Sequence, residues 1–237
     1  MLTSFSPTTL NPTLAVQIAD QIGAAIIEEQ FTPGERIHEV KLANMFNVSR
    51  STVRDALRIL ESRGLISMTP QRGARVRLLS IQELHNLFEI RAVLLALASR
   101  RAAGNYQLTD DPLLKAALAE LKQSMSDSTA YSRASAAMVS QVSLLSGSEQ
   151  LTEMIASFAQ RIGRYARLGL VTQKRREQSF ANWKTLVAAI RERDQDLAEA
   201  THRRLAQENR EAAMTEIEMR ARVSVSSGRP KTHARKP

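Results

Sequence analysis

Apolar positions recur at helical spacing from Leu14 to Glu29, through Leu14, Ile18, Ile22, Ala25 and Ile26, and predict a first helix. Thr32-Pro33-Gly34 then breaks the chain. A shorter helical run, Glu39 to Phe46, carries Val40, Leu42, Ala43 and Phe46. Asn47-Val48-Ser49 makes a tight connection, with Ser49 placed to cap a third helix from Arg50 to about Arg63. On that helix Val53, Ala56, Leu57 and Leu60 form a buried stripe, while Arg50, Arg54 and Arg58 recur every fourth residue on the other side. Gly64 stops it. Leu65 to Thr69 and Ala74 to Leu79 alternate like two short strands, joined as a hairpin by Pro70-Gln71-Arg72-Gly73.

Beyond Ser80 the pattern changes to long helices with no strand signal. The predicted spans are 80–103, 109–126, 129–146, 148–168, 173–192 and 194–219, separated at Asn105 and Thr109, Asp127, Gly147, Gly169 to Thr172, and Asp194. Helices of this length predict a bundle with an enclosed central cavity. The fold class is therefore mainly α: an N-terminal winged helix-turn-helix of three helices plus a two-stranded hairpin, then an all-α helical bundle. The expected organisation is a flexible Ser/Thr/Pro-rich arm at 1–11, a small domain at 12–79, the helical domain at 80–220 and a basic, disordered tail at 221–237.

Composition narrows the chemistry. The absence of Cys removes disulfides, thiolate metal sites and a cysteine nucleophile. A net charge of +9 favours a polyanionic partner, nucleic acid before membrane. The longest apolar runs, such as Ala92 to Ala98, fall far short of a bilayer span, and the start does not read as a signal peptide, so the expected location is cytoplasmic. Charge is also uneven. From Lys41 to Arg77 the eight basic residues Lys41, Arg50, Arg54, Arg58, Arg63, Arg72, Arg75 and Arg77 face only Asp55 and Glu61. The tail from Arg220 carries six basic residues and no acidic one, which reads either as a solvated segment or as a contribution to polyanion binding.

The first cluster falls on one local structure. A helix fits the major groove of B-DNA, and residues near its N-terminus reach base edges while neighbouring cations hold phosphates. Ser49, Arg50, Ser51, Thr52 and Arg54 occupy that end of the third helix, and Arg72 sits at the hairpin tip, within reach of an adjacent groove or phosphate. The residues also resemble a family. Pro33-Gly34-Glu35-Arg36-Ile37, Leu42-Ala43, the run Val48 to Glu61 (VSRSTVRDALRILE), Gly64-Leu65-Ile66 and Arg72-Gly73-Ala74-Arg75-Val76 are similar to the DNA-binding domain of GntR-family bacterial transcription regulators. The resemblance implies DNA contacts from Ser49, Arg50, Ser51, Thr52, Arg54 and Arg58, and a wing at Arg72 and Gly73. Some relatives carry Arg where this chain has Val40, so their operator preference does not transfer.

Residues from about Ser80 to Met219 resemble the all-helical effector domain named after the fatty-acid regulator FadR. The similarity rests on Leu87-Phe88-Glu89-Ile90-Arg91, Ala98, Ala102-Ala103, the Asp127 turn, Ser146-Gly147, Ala189-Ile190, Asp194 and Ala198. Many such domains hold a divalent metal through one Asp and three His. Here the matching positions are Ser135, Val139, Trp183 and Leu205, none a normal ligand, and no metal or other cofactor is expected. His202, one turn from Leu205, is more simply a surface or hydrogen-bonded residue than a ligand. The resemblance then implies a small-molecule effector, an organic acid or acyl compound, near Arg91, Ser135, Val139, Trp183 and Leu205. Arg91 suits a carboxylate or a structural salt bridge, and Trp183 suits stacking or ordinary core filling.

The function expected is a ligand-responsive regulator, with repression relieved by effector as the default and activation the alternative, acting as a homodimer on double-stranded, palindromic DNA. A non-specific nucleic-acid coat would not explain the ordered helix-turn-helix pattern. An enzyme would need a phosphate loop, metal-ligand pair or nucleophile elbow, and none is present in the sequence.

Overall fold

A computed structural model describes residues 12–69 and 72–226. The chain divides between Ser80 and Ile81 into two compact units. The arm at 1–11 and the tail beyond 226 lie outside the described residues.

The first unit begins with α1 (Leu14–Ile27), whose N-terminal cap Thr13 accepts from Val16 N–H at 3.4 Å. It ends two residues before the expected Glu29, because Glu29 turns left-handed at φ 64°. Then come β1 (Arg36–Ile37), α2 (Glu39–Phe46), α3 (Arg50–Ser62), β2 (Ile66–Thr69) and β3 (Gly73–Val76). Asn47 joins α2 to α3 in the left-handed region (φ 51°), a conformation Asn tolerates better than most residues. Ile18, Ile22 and Ile26 of α1 and Val53, Leu57 and Leu60 of α3 fill one core with Leu42, Leu65, Ile66 and Val76.

The hairpin expected from the sequence is a three-stranded antiparallel sheet, order β1-β3-β2. The added strand is two residues long, with Arg36 opposite Arg75 and Ile37 opposite Ala74. Gly34, at φ 80°, turns the chain onto β3, donating to the Val76 carbonyl at 2.9 Å while Val76 N–H reaches the Glu35 carbonyl at 2.9 Å.

The second unit is all-helical: α4 (Ile81–Asn105), a 3-10 turn at Leu108–Asp110, α5 (Asp111–Gln123), α6 (Ser128–Leu145), α7 (Glu149–Leu168), α8 (Gln173–Arg191) and α9 (Gln195–Ser226). Asp127 caps α6, accepting from Thr129 and Ala130 N–H at 2.7 and 3.0 Å; these bonds, Ala130's foremost, hold its carboxyl below the usual range. Ser148 and Thr172 cap α7 and α8 in the same way. Helix α9 continues past the boundary expected at 220, and an Arg220–Glu216 pair one turn apart (2.7 Å) lies on that extension. Leu95, Leu114, Leu121, Met138, Trp183, Leu186 and Ile190 lie in a second core.

Candidate nucleic-acid interface and a buried polar cluster

Helix α3 displays its basic side outward because its apolar side is spent on the core. Val53, Ala56, Leu57 and Leu60 are fully buried. The Arg50, Arg54 and Arg58 side chains remain 62, 54 and 72% exposed. At the N-terminus Ser49 accepts from Thr52 N–H at 3.2 Å and lies 2.7 and 2.8 Å from the Ser51 and Thr52 hydroxyls. Hydroxyls, free helix N–H groups and arginines share one end of one helix, a combination that favours an anion.

Arg54 is not loose. Its Nε donates to Glu39 Oε2 at 2.9 Å, and Arg50 approaches the same oxygen at 3.7 Å. Arg58 pairs with Asp55 at 3.2 Å. These groups line an open groove of about 690 Å³ bounded by Arg36, Glu39, Arg50, Arg54, Arg58 and Thr69. Val40 is exposed on its rim. The hairpin is anchored by Met68 N–H, which donates to Glu61 Oε1 of α3 at 2.8 Å. Arg72 is exposed at the turn and Gly73 follows at φ 76°; Pro70 and Gln71 lie outside the described residues. Arg75 is tied down, donating to the Gly34 carbonyl at 2.9 Å.

In the helical unit, Val139, Trp183 and Leu205 are buried in the apolar core, while Ser135 is half-buried. Trp183 fills core and also meets His202 edge-on, with centroids 5.2 Å apart and planes at 64°. His202 is fully buried, its Nδ1 bonded at 2.5 Å to Ser99 Oγ. Burial, and then the charge of Arg91, push the imidazole down to about 3, so it is neutral at pH 7. Burial also brings Arg91 down to about 10, which leaves it charged. Buried nitrogens without a hydrogen-bond partner on these helices include Arg91 Nε, Trp183 Nε1 and His202 Nε2. Burial raises Tyr131 to about 12, with Ser179 and the Arg175 and Arg176 charges acting in the opposite sense.

The divalent ion implied for many relatives does not fit these residues. Among the described residues no three His, Cys, Asp or Glu converge, and Arg and Trp N–H groups are donors that repel a cation.

Two family models cover most of the described chain: bacterial regulatory proteins of the gntR family over residues 14–76, and the FCD domain over residues 86–208. The chain belongs to the GntR family. Its first unit carries the family's DNA-binding module, and the second its FCD module. Both are modules of regulatory proteins and not of enzymes. Among curated GntR-type relatives, it is 37% identical over 83 residues to the uncharacterised HTH-type transcriptional regulator YdhC of Bacillus subtilis, covering 35% of this chain and 37% of that protein. It is 38% identical over 98 residues to the HTH-type transcriptional repressor RspR of Escherichia coli, 40% of this chain and 43% of that one. These matches thus span about two fifths of the relatives' length. The fold is shared with E. coli McbR/YncC (TM-score 0.78, 20% identity, 87% of this chain and all of that one). It is also shared with Lar, which controls the Listeria monocytogenes agr system (TM-score 0.60, 19% identity, 87% and 99%).

In this GntR chain the predicted DNA-facing residues Ser49, Arg50, Ser51, Thr52, Arg54 and Arg58 share the exposed side of α3, and Arg72 is exposed at the hairpin turn. Sequence reasoning missed Glu39, 15 residues from its partner Arg54, and Ser99, 103 residues from His202. Only an interhelical geometry reveals either. The salt bridge considered for Arg91 is absent among the described ion pairs, and its Nε has no acceptor. No helix among the described residues is long and apolar enough to cross a membrane.

Proposed function

We propose that the protein is a ligand-responsive transcription regulator that binds a palindromic operator as a homodimer, with an organic acid or acyl effector in the helical unit relieving repression. The observation that carries this reading is α3: its buried stripe leaves Arg50, Arg54 and Arg58 exposed along a groove beside a hydroxyl-rich helix N-terminus. Ser49, Ser51 and Thr52 contact backbone or bases, Arg50 and Arg54 read bases or hold phosphates, and Arg72 with Gly73 forms the wing contact. Two copies place two such helices on half-sites about one DNA turn apart. An effector that favours one arrangement of the two DNA-binding units shifts operator affinity by its differential affinity for that arrangement. Repression is chosen over activation because the family resemblance makes it the default and RspR carries that role in its name. As a DNA-binding regulator the protein acts in the cytoplasm. The basic tail adds sequence-independent, salt-sensitive affinity.

The test is selection from a random DNA pool followed by competition. A short two-fold symmetric site should emerge and resist excess unrelated DNA. Equal displacement by any DNA would leave only a general nucleic-acid binder.

A further inference from the structure

We propose that Val40, in the first turn of α2, is a specificity-determining residue that packs against the 5-methyl group of a thymine in each half of the operator. This rests on the DNA-binding reading above and adds a base that α2, rather than α3, selects.

The groove beside α3 is lined by Arg36, Arg50, Arg54 and Arg58 with Glu39 and Glu61, and its charge suits a polyanionic duplex. Among its apolar lining residues, Ile37 and Ala74 are buried and Met68 is half-buried, whereas Val40 is 53% exposed. The core of the first unit takes Leu42 and Ala43 from α2 and leaves Val40 out, so folding does not account for this side chain. A lone valine on an open surface needs no explanation, but this one has a particular place. Helices α2 and α3 share that core and are joined by the short turn at Asn47, which holds the first turn of α2 beside the exposed side of α3. Glu39, the residue before Val40, shows how near they come: its Oε2 accepts from Arg54 Nε at 2.9 Å and lies 3.7 Å from Arg50 Nη2. A duplex seated on Arg50, Arg54 and Arg58 brings base edges past Val40.

The side chain's chemistry limits what it can recognise. The floor of the major groove offers acceptors, amino donors and a single apolar group, the thymine methyl. Valine has neither donor nor acceptor. Covering a polar base edge strips water from it with no replacement, while covering the methyl removes two apolar surfaces from water together. Branching at Cβ leaves valine one preferred rotamer in a helix, so contact costs it little freedom. The same side chain therefore rewards thymine and penalises its competitors.

The experiment uses the full chain and the symmetric site selected from the random pool, with affinity read by gel shift. Thymines are replaced by deoxyuridine one symmetric pair at a time, which deletes the methyl and keeps the pairing edges. One such pair should matter to the wild type: about fourfold for one half-site, the worth of one buried methyl group, and about 15-fold for both. With cytosine at that position, 5-methylcytosine should restore about fourfold per half-site. Val40→Ala should melt like the wild type, bind the thymine site correspondingly more weakly and respond to neither change. The inference is overturned if no thymine replacement lowers affinity. It is equally overturned if Val40→Ala keeps the full response, which would give the methyl to another side chain such as Thr52. In both cases the selected site itself still stands, and with it the DNA-binding reading. A pool that yields no preferred sequence overturns the two together.

Discussion

The two units handle polar groups in opposite ways. In the first, cations stand on the surface, and Arg54, the most constrained of the α3 arginines, is met by Glu39 at 2.9 Å in a half-solvated pair. In the second, donors are enclosed among apolar side chains, and several have no acceptor at all. A surface cation is inexpensive to keep and ready for a polyanion of any length. A buried, unsatisfied donor is costly and pays only if something small and complementary fills the gap. The contrast separates cations left available on a surface from donors enclosed in a core.

The comparison breaks most severely at Trp183. Trp183→Ala should cost roughly 3–5 kcal/mol, visible as a large fall in melting temperature. If instead the protein loses little, the interior is not closely packed. Arg54→Ala and Arg50→Ala should leave melting unchanged yet lower specific DNA affinity roughly 10- to 100-fold, read by gel shift against wild type, because both side chains are exposed. Full retained affinity would move the reading surface off α3.

A pH titration of stability sharpens the interior side. His202 is depressed to about 3 in the folded chain, against 6.5 for the ordinary value. Below pH 6.5 the unfolded chain takes up a proton that the folded one refuses, so stability falls with pH and goes on falling to about 3. From pH 7 to 5 the loss should be about 2 kcal/mol, and His202→Gln should flatten that part of the profile. A flat wild-type profile would mean His202 is not sealed from water. The smallest effect belongs to Arg58→Ala. It pairs only with Asp55 across solvent, so folding stability should change by less than about 0.5 kcal/mol, while the salt dependence of DNA binding becomes shallower. A measurable drop in stability would give that pair a structural role.

How much was legible in the sequence follows the same division. The basic side of α3 lies on one stretch of chain, so helix period, Ser49 cap and arginine spacing all point to it from the residues alone. Strand β1 escaped because two residues cannot show an alternation, and its existence depends on Gly34 delivering them to β3. The α9 extension escaped because basic residues after Arg220 read as tail, while Glu216 one turn earlier offers Arg220 a partner. Arg91 and Trp183 were singled out through family likeness alone. What binds them to His202 and Ser99 was not, since a hydrogen bond across 103 residues leaves no local pattern.

The carboxylate of Glu39 places a negative oxygen inside an otherwise basic groove. A phosphate approaching α3 would meet Arg54 already bonded and a negative oxygen beside it, so any duplex bound there would have to outcompete that pair. The acid would thereby set a threshold that a weakly held polyanion has to overcome.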